Sequence, residues 1–175
     1  NMSITIKKII PIIDYDVRQL CTNPYPGHPK GCPNYNKKKR CPPQAKFFED
    51  VFDIDKPIYA IINTFDLESH IGRMRAKHPE WSPRQLKNCY YWQHQARKGL
   101  KQGIITFLKE HRDYHVTACP EGMGMNVTKT LENIGIHLQW PPETVTYQVA
   151  VVGIRKRPLD NEEKPLPQKL KELMD

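Results

Sequence analysis

The sequence lacks any run close to the ~18–20 apolar residues that a membrane-spanning helix needs, which excludes an integral helical membrane protein. It lacks the tight C-x2-C spacing of zinc ribbons, which argues against a ribbon knuckle. Its first residues, Asn1-Met2-Ser3-Ile4, do not read as a secretory signal. It has no internal repeat. Acidic residues are scarce beside basic ones, with 19 Asp and Glu against 27 Lys and Arg, a net charge of +8 and a pI near 9.2. That imbalance points to anionic partners, nucleic acid first. Hydrophobic residues are 38% and mean hydropathy is −0.68, so the core must be economical. At 175 residues the chain is one domain, or one domain with an appended lobe.

Proline and cysteine are what the sequence has instead. The 16 prolines are concentrated, and six of them, with two glycines, fall between Cys21 and Pro43. That stretch has no apolar periodicity and would ordinarily be a disordered linker. Cys21, Cys32 and Cys41 inside it suggest another source of order, because a metal can hold a loop that has no core of its own. Five cysteines without a secretory signal fit thiols or a metal in a reducing compartment, so a cytoplasmic protein is expected.

The chain divides at about 56 and 153. Residues 1–56 hold a β-rich start from Ile4 to Ile13, a short helix near 14–20 and the Cys/Pro lobe. Residues 57–153 read as an α/β body. Pro57–Thr64 is an apolar strand, and Asp66 caps a helix carrying Leu67, Ile71 and Met74. Ser82-Pro83-Arg84-Gln85 opens a long helix with a capping box that runs to about His111. A strand from Tyr114 to Cys119, a loop at 122–126, a short helix from Val127 to Ile134 stopped by Gly135, and a strand at 144–152 complete it. The order predicts a small sheet layered with helices. Residues 154–175 are a charged tail with Leu166, Leu170 and Leu173 at helical spacing.

Cys32, Cys41 and Cys119 are each followed by proline, which removes a backbone N–H and stiffens the chain leaving a ligand. With Cys21 they make a four-thiolate set for a [4Fe–4S] cluster or tetrahedral zinc. His28 is a reserve ligand, and Cys89 reads as a core residue on the apolar face of the long helix. Glu121 could act as an acid or base beside the metal, and Gly122 and Gly124 would let backbone approach an anion closely. Arg97 and Gln93 project onto the apolar face of the long helix, where Arg97 would either pair with a core carboxylate or hold an anionic substrate beside the metal. Gly99 and Gly103 would admit another element closely. Arg84, Lys87, His94, Lys98, Lys101, Lys109 and Arg112 form one stripe with Tyr91, which is either a solvated face or a nucleic-acid surface. Lys37-Lys38-Lys39-Arg40 and Arg155-Lys156-Arg157 add basic patches.

The elements Cys32-Pro33-Asn34-Tyr35, Cys41-Pro42-Pro43 and Cys119-Pro120 resemble a group of small archaeal and anaerobic-bacterial proteins described as predicted metal-binding proteins (domain of unknown function 2284). The similarity spans most of residues 21–152. The group usually carries a further C-x2-C element in the body, which this chain does not have. The resemblance implies a metal at Cys21, Cys32, Cys41 and Cys119 and implies no reaction. Three functions follow as expectations: an iron–sulfur enzyme acting on a small anionic or nucleotide substrate with Glu121 and Arg97, a structural zinc or cluster module that binds nucleic acid or a partner through Lys87, Lys98, Lys101 and Lys109, and an electron carrier.

Overall fold

The computed structural model describes residues 2–25 and 27–156. The Leu166–Leu170–Leu173 segment and Arg157 lie outside them. Four strands form one sheet: β1 (Met2–Ile9), β2 (Ile58–Asp66), β3 (Tyr114–Thr117) and β4 (Val145–Ile154). Their order is β1-β2-β4-β3 and every pairing is antiparallel. Five helices accompany them: α1 (Phe48–Val51), α2 (Leu67–Lys77), α3 (Pro83–Leu86), α4 (Gln93–Glu110) and α5 (Val127–Glu132). The fold is a small α/β sheet layered with helices, as the alternation of elements predicts.

The two central strands are apolar on both faces because both faces are covered. On one face Leu100, Ile104, Phe107 and Leu108 of α4 pack on Ile61, Ala150 and Val152. On the other, Ile58, Ala60, Ile62 and Val151 meet Phe48, Phe52, Met125, Val127 and Leu131. At ~1.5–3 kcal/mol for each large apolar side chain buried, these two layers hold the body together. Gly103 lets β1 lie close to α4, since a Cβ there would stand 2.9 Å from Ile4 Cδ1. At Gly99 it would meet the Oδ1 of buried Asn63 at 2.7 Å. Asn63 is fixed by donating to the Ala96 carbonyl (3.0 Å) and to Gln148 Oε1 (2.7 Å).

One expected helix is in fact three elements, a single turn, a 3₁₀ turn and the long α4. The capping box at Ser82 forms, with Gln85 N–H donating to Ser82 Oγ and Ser82 N–H donating to Gln85 Oε1. It closes after a single turn. Asn88 is extended, its side chain accepts from Tyr90 N–H (3.0 Å), and a 3₁₀ turn at Cys89–Tyr91 leads into α4. The cause lies in Trp92. Its indole stacks on Phe65 with ring centroids 5.5 Å apart and donates to the Lys87 carbonyl (3.2 Å). Burying an aromatic of that size outweighs helix preferences of at most ~0.7 kcal/mol per residue.

Two expectations tied to an unbroken helix are corrected. Cys89 is exposed rather than part of the core. Arg97 is exposed and Gln93 half-buried, so no arginine is buried on the apolar face of α4. The stretch read as a strand from Ile4 to Ile13 pairs only as far as Ile9, and Ile13 then bridges to Met125.

Candidate metal centre

Among the described residues the Cys/Pro lobe contributes no hydrophobic core cluster of its own and is knitted by backbone and side-chain hydrogen bonds. Tyr15–Thr22 forms a 3₁₀ helix that carries Cys21 near its end. Cys32 N–H donates to the Cys21 carbonyl at 2.8 Å, so the chain folds back and sets these two cysteines side by side. Gly31 makes this crossing feasible. It has φ +81°, and a Cβ there would lie 2.6 Å from the Cys21 carbonyl oxygen. Cys41 closes a second turn, donating to the Lys38 carbonyl (2.9 Å) and accepting from Ala45 N–H (2.9 Å). Arg18 straps the two turns together. Its guanidinium donates to the carbonyls of Pro43 and Ala45, each at 3.0 Å, and lies 4.4 Å over the Phe47 ring. No spacing pattern marks Arg18 in the sequence, because its partners are backbone carbonyls 25 and 27 residues away.

The body supplies the fourth cysteine. β3 ends at Thr117, whose hydroxyl accepts from Cys119 N–H (3.2 Å), and a 3₁₀ turn at Glu121–Met123 follows. Gly122 is buried where the lobe seats on the body. A Cβ there would stand 3.2 Å from the Arg40 carbonyl and 3.4 Å from Pro42. Gly124, at φ +90°, faces the Tyr15 ring, which a Cβ would meet at 2.7 Å. Asp14 N–H donates to the Gly124 carbonyl and Asn126 N–H to the Ile12 carbonyl, both at 2.8 Å. The two glycines thus admit the lobe's own backbone and Tyr15. They are not brought together with Lys87, Lys98, Lys101 and Lys109, which are exposed on or beside α3 and α4, across the sheet.

The electrostatics gather four of the five cysteines. Burial pushes the Cys21 thiol up, and Cys32, Cys41 and Glu121 raise it further while Arg18 opposes them. Burial likewise pushes Cys119 up, with Arg40 opposing and Cys41, Glu121 and Cys21 adding. Cys21 thus lies near Cys32, Cys41 and Glu121, and Cys119 near Cys41, Cys21 and Glu121, with Arg18 and Arg40 beside them. Glu121 stays open to solvent, although the protein atoms crowding its carboxyl push its pKa above the usual carboxylate value. Among the described residues, no group of three or more His, Cys, Asp or Glu is arranged to hold a metal ion. His28 packs its ring on Tyr25, centroids 4.7 Å apart. Tyr25 is the aromatic next to the thiols, its phenol pushed up by partial burial and by Cys32 and Cys21.

Cys89 and Arg97 stand apart from this site. Both belong to the α3–α4 side of the sheet, whereas the lobe packs with α1 and α5 on the other. Arg97 is therefore not beside Glu121. Among the described residues no helix is long and apolar enough to cross a membrane. The chain matches no family model, no curated protein and no solved structure.

Proposed function

We propose that the protein carries one metal centre, a [4Fe–4S] cluster, on Cys21, Cys32, Cys41 and Cys119, and works in a reducing, cytoplasmic setting. The observation that supports this is the common neighbourhood of four cysteines drawn from a coreless loop and from a strand end, while the fifth cysteine lies outside it. A loop of this composition has little reason to order itself around thiols unless something binds them.

A cluster supplies one-electron transfer, or a Lewis-acidic iron where one position is open. Around it the residues have separable roles. Arg18 and Arg40 offset the negative charge of the thiolates. Glu121, exposed at the rim, would serve as an acid or base beside any ligand that enters. Arg97 takes no part in this site.

The test is iron, acid-labile sulfide and zinc per chain, with a visible spectrum, on protein purified without oxygen. About four iron and four sulfide with broad absorption near 400 nm is the expected result. One zinc and no colour would replace the cluster with a structural site. Metal-free protein with an ordered lobe would overturn the reading.

A further inference from the structure

The net charge is not spread over the chain. Residues 69–109 contain nine Lys or Arg and a single acid, Glu80, so the whole excess of +8 arises there and the remaining residues balance to zero. All nine of those basic side chains are exposed. The same region carries an aromatic ladder between α2 and α4. His78 stacks on Trp81 at 4.1 Å and 7°. Trp81 meets Tyr91 at 4.7 Å, and Tyr91 meets Tyr90 edge-on at 5.3 Å. Tyr90 is 81% exposed and Tyr91 43%.

Exposed aromatics of this kind usually find cover in a core or an interface. Here the turn that carries them is rigidly mounted. Ser82 and Gln85 cap α3, Asn88 caps the 3₁₀ turn, and Trp92 anchors the turn from below by its bond to the Lys87 carbonyl. Arg84 and Lys87 lie between Trp81 and Tyr90 in the chain and are exposed, as is Lys98 on the second turn of α4.

We infer that this surface binds single-stranded nucleic acid, with bases stacking on Tyr90 and Tyr91, which Trp81 backs from behind, and phosphates lying along Arg84, Lys87 and Lys98. Charge complementarity selects a polyanion. The exposed rings of Tyr90 and Tyr91 select one with flat unpaired bases, because every base has a face to stack and a duplex hides it. An anionic lipid surface or an acidic peptide matches the charge but offers no flat face to these rings. The surface lies across the sheet from the thiols, so the inference stands whether or not they hold a metal.

The test uses the full chain and a fluorescein-labelled single strand of about 15 nucleotides, long enough for one such site. The same strand as a duplex, heparin, and vesicles of phosphatidylserine and phosphatidylcholine are the competitors. Single strand should bind about tenfold tighter than duplex, and Tyr90→Ala should weaken it about tenfold without lowering the melting temperature. Arg84→Glu with Lys87→Glu should weaken binding and flatten its dependence on salt. The inference fails if nothing binds at about 50 mM salt, where phosphate contacts are strongest. It also fails if duplex, heparin or vesicles compete as well as single strand and Tyr90→Ala changes nothing, since the surface would then be a general polyanion patch.

Discussion

Gly31→Val is expected to open the Cys/Pro lobe while leaving the sheet folded. Three effects combine at this position. A β-branched residue at φ +81° is strained, at a cost of ~1–2 kcal/mol or more for the left-handed region. Its Cβ would stand 2.6 Å from the Cys21 carbonyl oxygen and 2.8–2.9 Å from Thr22 backbone atoms, none of which can swing aside as a side-chain tip could. Relieving that clash pushes Cys21 away from Cys32 and breaks the 2.8 Å bond between them. Trypsin reports the outcome directly, because Lys37-Lys38-Lys39-Arg40 lies in the same lobe. Cleavage there should accelerate at least about tenfold, the signature of a locally opened segment, and metal should be lost with it. Gly27→Ala is the control. Gly27 also has positive φ (+83°), but a Cβ there meets nothing within 4 Å, so its effect should be much smaller. Equal cleavage of Gly31→Val and the parent protein would show that the crossing at Cys21 does not order the lobe.

The second large effect belongs to the opposite face. Trp92→Ala should destabilise the body by ~3–5 kcal/mol, the range for removing a buried aromatic. For a body of this size that is a fall in Tm on the order of 10 °C. Trp92 is 8% exposed, stacks on Phe65, and ties its indole N–H to the Lys87 carbonyl. Its loss leaves a cavity beside Phe65, Leu67 and Ala96 and frees the turn that carries Tyr90 and Tyr91. Binding of single-stranded oligonucleotide should weaken together with stability, whereas metal content should not change. A loss under about 1 kcal/mol would mean that Trp92 does not cause the break between α3 and α4.

That break also marks where the sequence stopped being legible. Local chemistry was readable. The apolar run at 57–64, the Asp66 cap, the Ser82 capping box and the stop at Gly135 depend on residues a few positions apart, and each takes the form expected. Trp92 depends on Phe65, 27 residues earlier, and no helical pattern contains that information. Extending one helical phase from Ser82 to His111 therefore carried Cys89 into the core and Arg97 onto the apolar face, when both are exposed.

The thiol set shows the same division. Proline after cysteine marks Cys32, Cys41 and Cys119 but not Cys89, and Cys89 is the exposed one of the five. The arginine strap at Arg18 was invisible because it grips carbonyls rather than a motif. Gly122 and Gly124 were correctly singled out as points of close approach. What approaches them is the lobe and Tyr15, which only the assembled fold reveals. The stripe from Arg84 to Arg112 rested on the same unbroken helical phase, and the break after α3 separates Arg84 and Lys87 from the basic residues of α4, although all of Arg84, Lys87, Lys98, Lys101 and Lys109 are exposed. The aromatic ladder was not legible, because His78, Trp81 and Tyr91 meet only after the chain turns at Asn88.

The central claim is that four thiols, three from the lobe and one from the body, share a single centre. The most direct measurement is metal per chain in Cys119→Ser beside Cys89→Ser, both purified without oxygen. Cys119 sits 78 residues beyond Cys41, just past the end of β3, so only a shared centre makes the lobe's metal depend on it. Loss of most of the metal in Cys119→Ser, with the full complement kept in Cys89→Ser, is the predicted result. Full metal content in Cys119→Ser would contradict the account and confine any site to the lobe alone.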